Sequence, residues 1–188
     1  PSSATSTICS FPSNNSPGIA EVGGKGYSLI QLSKFMPVPA GFVLTTRFFV
    51  PWWSELSKTD EWKRFLAAGN EQMSFACSQL KNQVMLFAFS DEQNYQISNL
   101  LQQFPDQQLF AVRSSSPEED LEGTSFAGAY ETVLGVSRKN IQAAVRACFA
   151  SCLDYRIVAY KREHGLDVKS PKIAVVIQKQ IASEVSGV

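Results

Sequence analysis

The sequence predicts an α+β fold. Short apolar runs bounded by glycine, proline or polar clusters read as buried strands at Gly41–Thr45, Leu109–Val112 and Ile173–Ile181. Stretches with apolar residues at helical spacing lie between them. The chain has 188 residues, 44% of them hydrophobic and 18% charged. That composition supports one ordinary core and excludes disorder throughout.

The elements follow in order. Residues 1–19 are rich in Ser, Thr and Asn and read as a flexible leader, without the apolar stretch of a secretory signal or the arginines of a transit peptide. Tyr27, Leu29, Ile30, Leu32 and Phe35 recur at helical spacing from Gly24 to Phe35, after the entry Gly23-Gly24-Lys25-Gly26. Pro37 and Pro39 stop that helix. The strand at Gly41–Thr45 comes next, and Thr46 is the expected cap of a helix carrying Phe48, Phe49, Trp52 and Trp53.

From Asp60 to Phe104 the pattern is helical, rich in Gln and Asn, and reads as a packing insert. Trp62, Phe65 and Leu66 form one expected apolar stripe, and Phe75, Leu80, Val84, Met85 and Leu86 suggest a second helix. Ser90 followed by Glu92-Gln93 reads as a helix start, with Ile97, Leu100 and Leu101 facing inward. Leu109–Val112, ending in Arg113-Ser114-Ser115-Ser116, is then a buried strand feeding a polar loop, Pro117 to Gly128, dense in acidic and small residues. Tyr130, Thr132 and Leu134 alternate as in a strand. Ser137 caps a single long helix from Arg138 to about Glu163, closed by Gly165, and the final strand follows.

Charge and cysteine content exclude some functions. Lys+Arg and Asp+Glu are each 17, so no basic surface for nucleic acid or anionic lipid is expected. No apolar run approaches the ~20 residues of a membrane span. Cys9, Cys77, Cys148 and Cys152 form no C-x-x-C pair, and the single histidine, His164, leaves no zinc cluster. Buried free thiols suit a reducing compartment, and a cytoplasmic location is the expectation.

Four features bear on chemistry. Glycines ahead of a helix let a ligand approach the backbone, and Lys25 supplies a mobile cation there, although a turn and cap uses the same residues. Arg113 ends an apolar strand, where its guanidinium either meets phosphate oxygens or pairs with Glu118, Glu119 or Asp120. The acidic loop itself either faces solvent, presents backbone N–H groups to a polyphosphate, or holds a metal. His164 closes an amphipathic helix, where a histidine complements the helix dipole.

Three ordered stretches carry a resemblance to a known family. They are Val22-Gly23-Gly24-Lys25-Gly26-Tyr27-Ser28-Leu29 with Val38-Pro39-Ala40-Gly41-Phe42-Val43-Leu44-Thr45-Thr46; Ala111-Val112-Arg113-Ser114-Ser115-Ser116 with Glu119-Asp120 and Ser125-Phe126-Ala127-Gly128; and Ile173-Ala174-Val175-Val176-Ile177-Gln178 with Val185-Ser186-Gly187-Val188. Over residues 20–188 the chain resembles the N-terminal part of the ATP-binding domain of the phosphoenolpyruvate synthase and pyruvate phosphate dikinase family. The resemblance implies the first lobe of an ATP-grasp-like nucleotide-binding domain with a helical segment at about 60–104. By the same resemblance Lys25 and Arg113 bind ATP phosphates, Gly128 and Thr132 line the nucleotide, and Gln178 lies near adenine.

The family's magnesium ligands lie beyond this chain, as do its second lobe, its phosphohistidine domain and its acceptor domain, and His164 is not in the family's histidine motif. The resemblance therefore implies the ATP-binding portion of a dikinase that phosphorylates a histidine on a swivelling domain before transfer to pyruvate, with the fragment alone inactive. A rifampin-type antibiotic phosphotransferase, a non-catalytic nucleotide-binding module and a purely structural domain are the alternatives.

Overall fold

The computed structural model describes residues 6–12, 16–118 and 130–181. Among these, five strands pair into one sheet: β1 (Ile8–Phe11), β2 (Gly41–Leu44), β3 (Phe110–Ser115), β4 (Thr132–Val136) and β5 (Ala174–Lys179). Their order is β1-β2-β5-β3-β4, and every neighbouring pair is antiparallel. The last strand in sequence therefore lies at the centre, and its burial explains its unbroken run of apolar residues. The mixed α and β character expected from the sequence is present, built on this one antiparallel sheet.

Helix α1 (Ile19–Leu32) covers one face of the sheet, where Cys9, Phe11, Val22, Ile30, Val43, Ala174 and Val176 form a small apolar core. The other face carries a thicker helical layer: α2 (Val50–Leu56), α3 (Asp60–Ala67), α4 (Asn70–Val84), α5 (Asp91–Leu101), α6 (Ile141–Ser151) and α7 (Tyr155–Glu163). Strand residues alternate between the two cores, as a period of two requires. Phe42, Leu44, Phe110, Val112, Val175 and Ile177 face the helical layer. At its centre the rings of Phe49, Trp52 and Phe149 meet at 5.1–5.5 Å, in tilted and edge-on geometry. The Trp52 indole N–H is satisfied by the Ala88 carbonyl at 3.1 Å.

Several local expectations are corrected. Residues 8–11, assigned to a flexible leader, form β1 and pair with β2. Thr46 does not cap α2; its N–H and hydroxyl both donate backwards, to the Glu21 and Ala20 carbonyls. Phe48 and Phe49 precede α2, and Phe49 is its N-cap. Leu66, Phe75, Met85 and Leu86 are exposed, while Met73, Ala76 and Cys77 take the inward positions on α4. Strand β3 continues past Arg113 to Ser115 rather than ending at the arginine. The single long helix is divided: a 3-10 turn at Arg138–Asn140 leads into α6, and Cys152 to Asp154 separate α6 from α7. By contrast the Ser90–Gln93 capping box forms in both directions, at 3.2 and 2.9 Å. Gly165, with φ of +65°, follows α7. The four cysteines are buried and free. Burial pushes the thiols of Cys148 and Cys152 up to about 12, so they pack as apolar groups.

Asp154 makes the break between α6 and α7 and ties it to α4. Its carboxylate accepts from the Arg156 N–H at 3.1 Å and from the Lys81 ammonium at 3.1 Å. Burial raises its pKa, but the hydrogen bonds from Arg156 and Lys81 outweigh it and hold the carboxyl below its ordinary value. A depressed carboxylate stabilises the fold above its unfolded pKa, and that contribution is lost as pH falls through the folded one. Asp154→Asn keeps a capping oxygen and loses the charge. The gap in urea midpoint between wild type and this variant is expected to be widest near neutrality and to close below about pH 4. A gap that stays constant down to about pH 2.5 would contradict the assignment.

Candidate functional site

The centre of the site is a kink in α1. Gly23 breaks the helix with φ of +70° and ψ of 172°, a conformation essentially confined to glycine. The break lets β3 come close: a Cβ on Gly23 would lie 2.2 Å from the Ser115 carbonyl oxygen. The Ser115 hydroxyl fills the gap. It donates to the Val22 carbonyl at 2.7 Å, before the kink, and accepts from the Gly26 N–H at 2.9 Å, after it. The Gly24 N–H is bonded to the Ser116 carbonyl at 3.3 Å. Ser115 thus acts as the cap of the helical segment that begins at Gly24, from a residue 89 positions away.

Lys25 follows directly on this staple. It is half-buried, and its ammonium stands 6.0 Å from the centre of the Tyr130 ring, at the outer limit of a cation–π contact. Arg113 lies two residues before Ser115 on β3, roughly 7 Å away along the strand, so both side chains leave the same face. Directly paired residues of antiparallel strands share a face. Arg113 pairs with Val176 on one side and Thr132 on the other, and Val176 belongs to the core beneath α1. Gln178, two residues beyond Val176, shares that face.

Four predicted residues, Lys25, Arg113, Thr132 and Gln178, therefore belong to the α1 side of the sheet. Thr132 is exposed at the start of β4, and Gln178 is buried with its amide donating to the Pro39 carbonyl at 3.0 Å. Gly128, with Glu119, Asp120, Ser125 and the Val185–Val188 stretch, lies outside the described residues.

Arg113 does not pair with Glu118. The Glu118 carboxylate instead meets the ammonium of Lys161, which is 2% exposed on α7. The Arg113 Nε is buried and has no hydrogen-bond partner. The Nε atoms of Arg138 and Arg146 are buried without a partner too; what marks Arg113 is its place on the α1 face of the sheet, where an anionic ligand oxygen is a natural partner. His164 is exposed at the end of α7, stacked on Tyr160 with ring centres 3.9 Å apart. Among the described residues no group of three or more His, Cys, Asp or Glu is placed to hold a metal ion. No helix among them is long and apolar enough to cross a membrane.

A cation on a glycine-broken helix, with a second cation on the strand that helix packs against, is a combination that suits a phosphorylated ligand. The family model for the pyruvate phosphate dikinase AMP/ATP-binding domain matches residues 19–188. The chain belongs to that family. Within the dikinase family it is similar to an uncharacterized phosphotransferase of Bacillus subtilis, 33% identical over 169 residues, covering 88% of this chain and 18% of the relative. A rifampicin phosphotransferase of Streptomyces is 32% identical over 178 residues, covering 91% and 21%. A probable phosphoenolpyruvate synthase of Methanocaldococcus jannaschii is 28% identical over 177 residues, covering 88% and 15%. The chain spans about a fifth of the length of such curated relatives.

Sequence reasoning on this dikinase-type domain singled out the two cations and missed the staple between them. Ser115 is one serine of three in a row, and nothing local marks which of them reaches α1. Two substitutions test the staple. Ser115→Ala leaves the Val22 carbonyl and Gly26 N–H unpaired, and a loss of about 1–3 kcal/mol in denaturant-derived stability is expected. Gly23→Ala adds both a clash and a forbidden backbone angle, and a larger loss, above about 3 kcal/mol, is expected. Equal, small effects below about 0.5 kcal/mol would contradict the geometry.

Proposed function

We propose that the chain is the ATP-binding portion of a phosphoenolpyruvate synthase-like dikinase. The observation that carries this reading is the buried, unpaired Arg113 Nε on the sheet face that α1 and Lys25 occupy, in a chain of the AMP/ATP-binding domain family. On this reading Lys25 and Arg113 neutralise phosphate charge, as cations do where negative charge develops in phosphoryl transfer. Thr132 offers a hydroxyl at the end of the same row, Gly128 allows close approach of backbone to nucleotide, and Gln178 stands near the base. Residues 20–188 then form the first lobe of an ATP-grasp-like domain, with the helical segment at 60–104 as its outer support.

In the whole protein ATP is the phosphoryl donor to a histidine on a separate swivelling domain, and pyruvate is the final acceptor. A second lobe closes over the nucleotide, and acidic groups outside this chain hold Mg2+. A cytoplasmic location suits the four buried free thiols. One observation favours a different acceptor by a small margin: three rifampicin phosphotransferases stand at 32% identity and one at 29%, against 28–29% for three probable phosphoenolpyruvate synthases. The ATP site is common to both readings, so the acceptor domain distinguishes them.

Calorimetry with ATP and Mg2+ tests the site. The chain would be compared with a version extended through the second lobe, each as wild type and as Arg113→Ala. Magnesium-dependent binding is expected to be tight only in the extended form and to weaken about 10- to 100-fold with Arg113→Ala, the loss of one or two charge-assisted hydrogen bonds. No effect of Arg113→Ala would remove the arginine from the site. Binding in the whole protein without phosphate transfer to any histidine would favour the non-catalytic module.

A further inference from the structure

Among the described residues one cleft opens beside α2 and α3, and neither Lys25 nor Arg113 lines it. It has a volume of about 470 Å³, within the usual range for small-molecule sites. Val50 and Trp53 of α2 and Trp62 of α3 form its apolar wall, with the two indoles 6.4 Å apart between centres. Trp53 packs against the core of the helical layer, which fixes the face on which the cleft opens.

The rim is positive. Arg47, Lys169 and Lys172 line the cleft, and no acidic residue does. None of the three side chains is in an ion pair or hydrogen bond with a described residue, whereas Lys63, Arg64, Lys81, Arg138, Arg156 and Lys161 all have carboxylate partners. The nearest acid in sequence, Asp167, is tied into its own turn by the Lys169 N–H and the Ser170 hydroxyl. In a chain with equal numbers of acidic and basic residues, three unpaired cations around two indoles are a local excess that a ligand can neutralise.

We propose that this cleft binds a small anion with a flat apolar body, such as an aromatic carboxylate or sulfonate. The rings lie against Trp53 and Trp62, where stacking and burial favour them, and the acidic group meets the Arg47, Lys169 and Lys172 rim. None of Lys25, Arg113, Thr132 and Gln178 lines the cleft, so this ligand and the nucleotide bind independently.

The test uses 1-anilinonaphthalene-8-sulfonate, with N-phenyl-1-naphthylamine as the uncharged probe of similar ring system. Saturable binding of the sulfonate is expected, followed by its own fluorescence and by quenching of tryptophan emission. Lys169→Glu/Lys172→Glu is expected to weaken the sulfonate at least about tenfold and the neutral probe less than about twofold. Trp53→Leu is expected to weaken both probes, with circular dichroism unchanged. ATP at saturating concentration is expected to displace neither. Equal loss of both probes on charge reversal, unchanged binding on charge reversal, or displacement by ATP would each overturn the proposal, the last by assigning the cleft to the nucleotide itself.

Discussion

One hydroxyl, that of Ser115, holds the two halves of the α1 kink together and ties both to β3. The constraint comes from the backbone. A helix broken at Gly23 exposes a carbonyl before the break and N–H groups after it, and each needs a partner once buried. Ser115 satisfies one of each, and Ser116 satisfies the Gly24 N–H. The side chain that would have blocked this contact is absent because the residue at the break is glycine. Lys25 is then the next residue but one after the break, and its position relative to Arg113 follows from a single strand register.

The sheet order has the same consequence on a larger scale. β5 sits between β2 and β3, so Val176 is paired with Val43 on one side and Arg113 on the other. The α1 face is apolar toward β1 and β2, where Cys9, Phe11 and Val43 pack, and polar toward β3 and β4, where Arg113 and Thr132 stand. The opposite face is apolar across β2, β5 and β3 and carries six helices among the described residues. Among the described residues that thick layer backs one face of the sheet, and α1 packs on the other.

Much of the fold was legible in the sequence because its signals are local. Continuous apolar runs marked β2, β3 and β5, and the Ser90–Gln93 pair marked the start of α5. What escaped depends on distant partners. Ile8–Phe11 is four residues in a Ser-rich context, and it is a strand because β2 offers it an edge. The α6–α7 break had a local signal in Asp154, a good N-cap residue, but the apolar period carries on across it and hid it. Phe75 and Leu86 are apolar yet exposed, because α4 turns Met73, Cys77 and Leu80 inward, and apolar character alone does not show which face is buried.

The candidate site divides in the same way. Lys25 and Arg113 could be picked out as cations at a helix start and a strand end, and Glu118 was a reasonable partner for Arg113. The buried Lys161, visible only once α7 is folded against the loop, takes that carboxylate instead. This leaves the Arg113 Nε unpaired, a fact that spacing could not reveal.

The central claim is that the Ser115 staple sets the position of Lys25 for a phosphorylated ligand. A double-mutant cycle on ATP affinity, with Ser115→Ala, Lys25→Ala and the pair, tests it most directly in the protein extended through its second lobe. The account predicts strong non-additivity, a coupling of about 1 kcal/mol or more, because Lys25 loses its value once its helix is released. Additive losses, within about 0.3 kcal/mol, would contradict it and leave Ser115 with a role in stability alone.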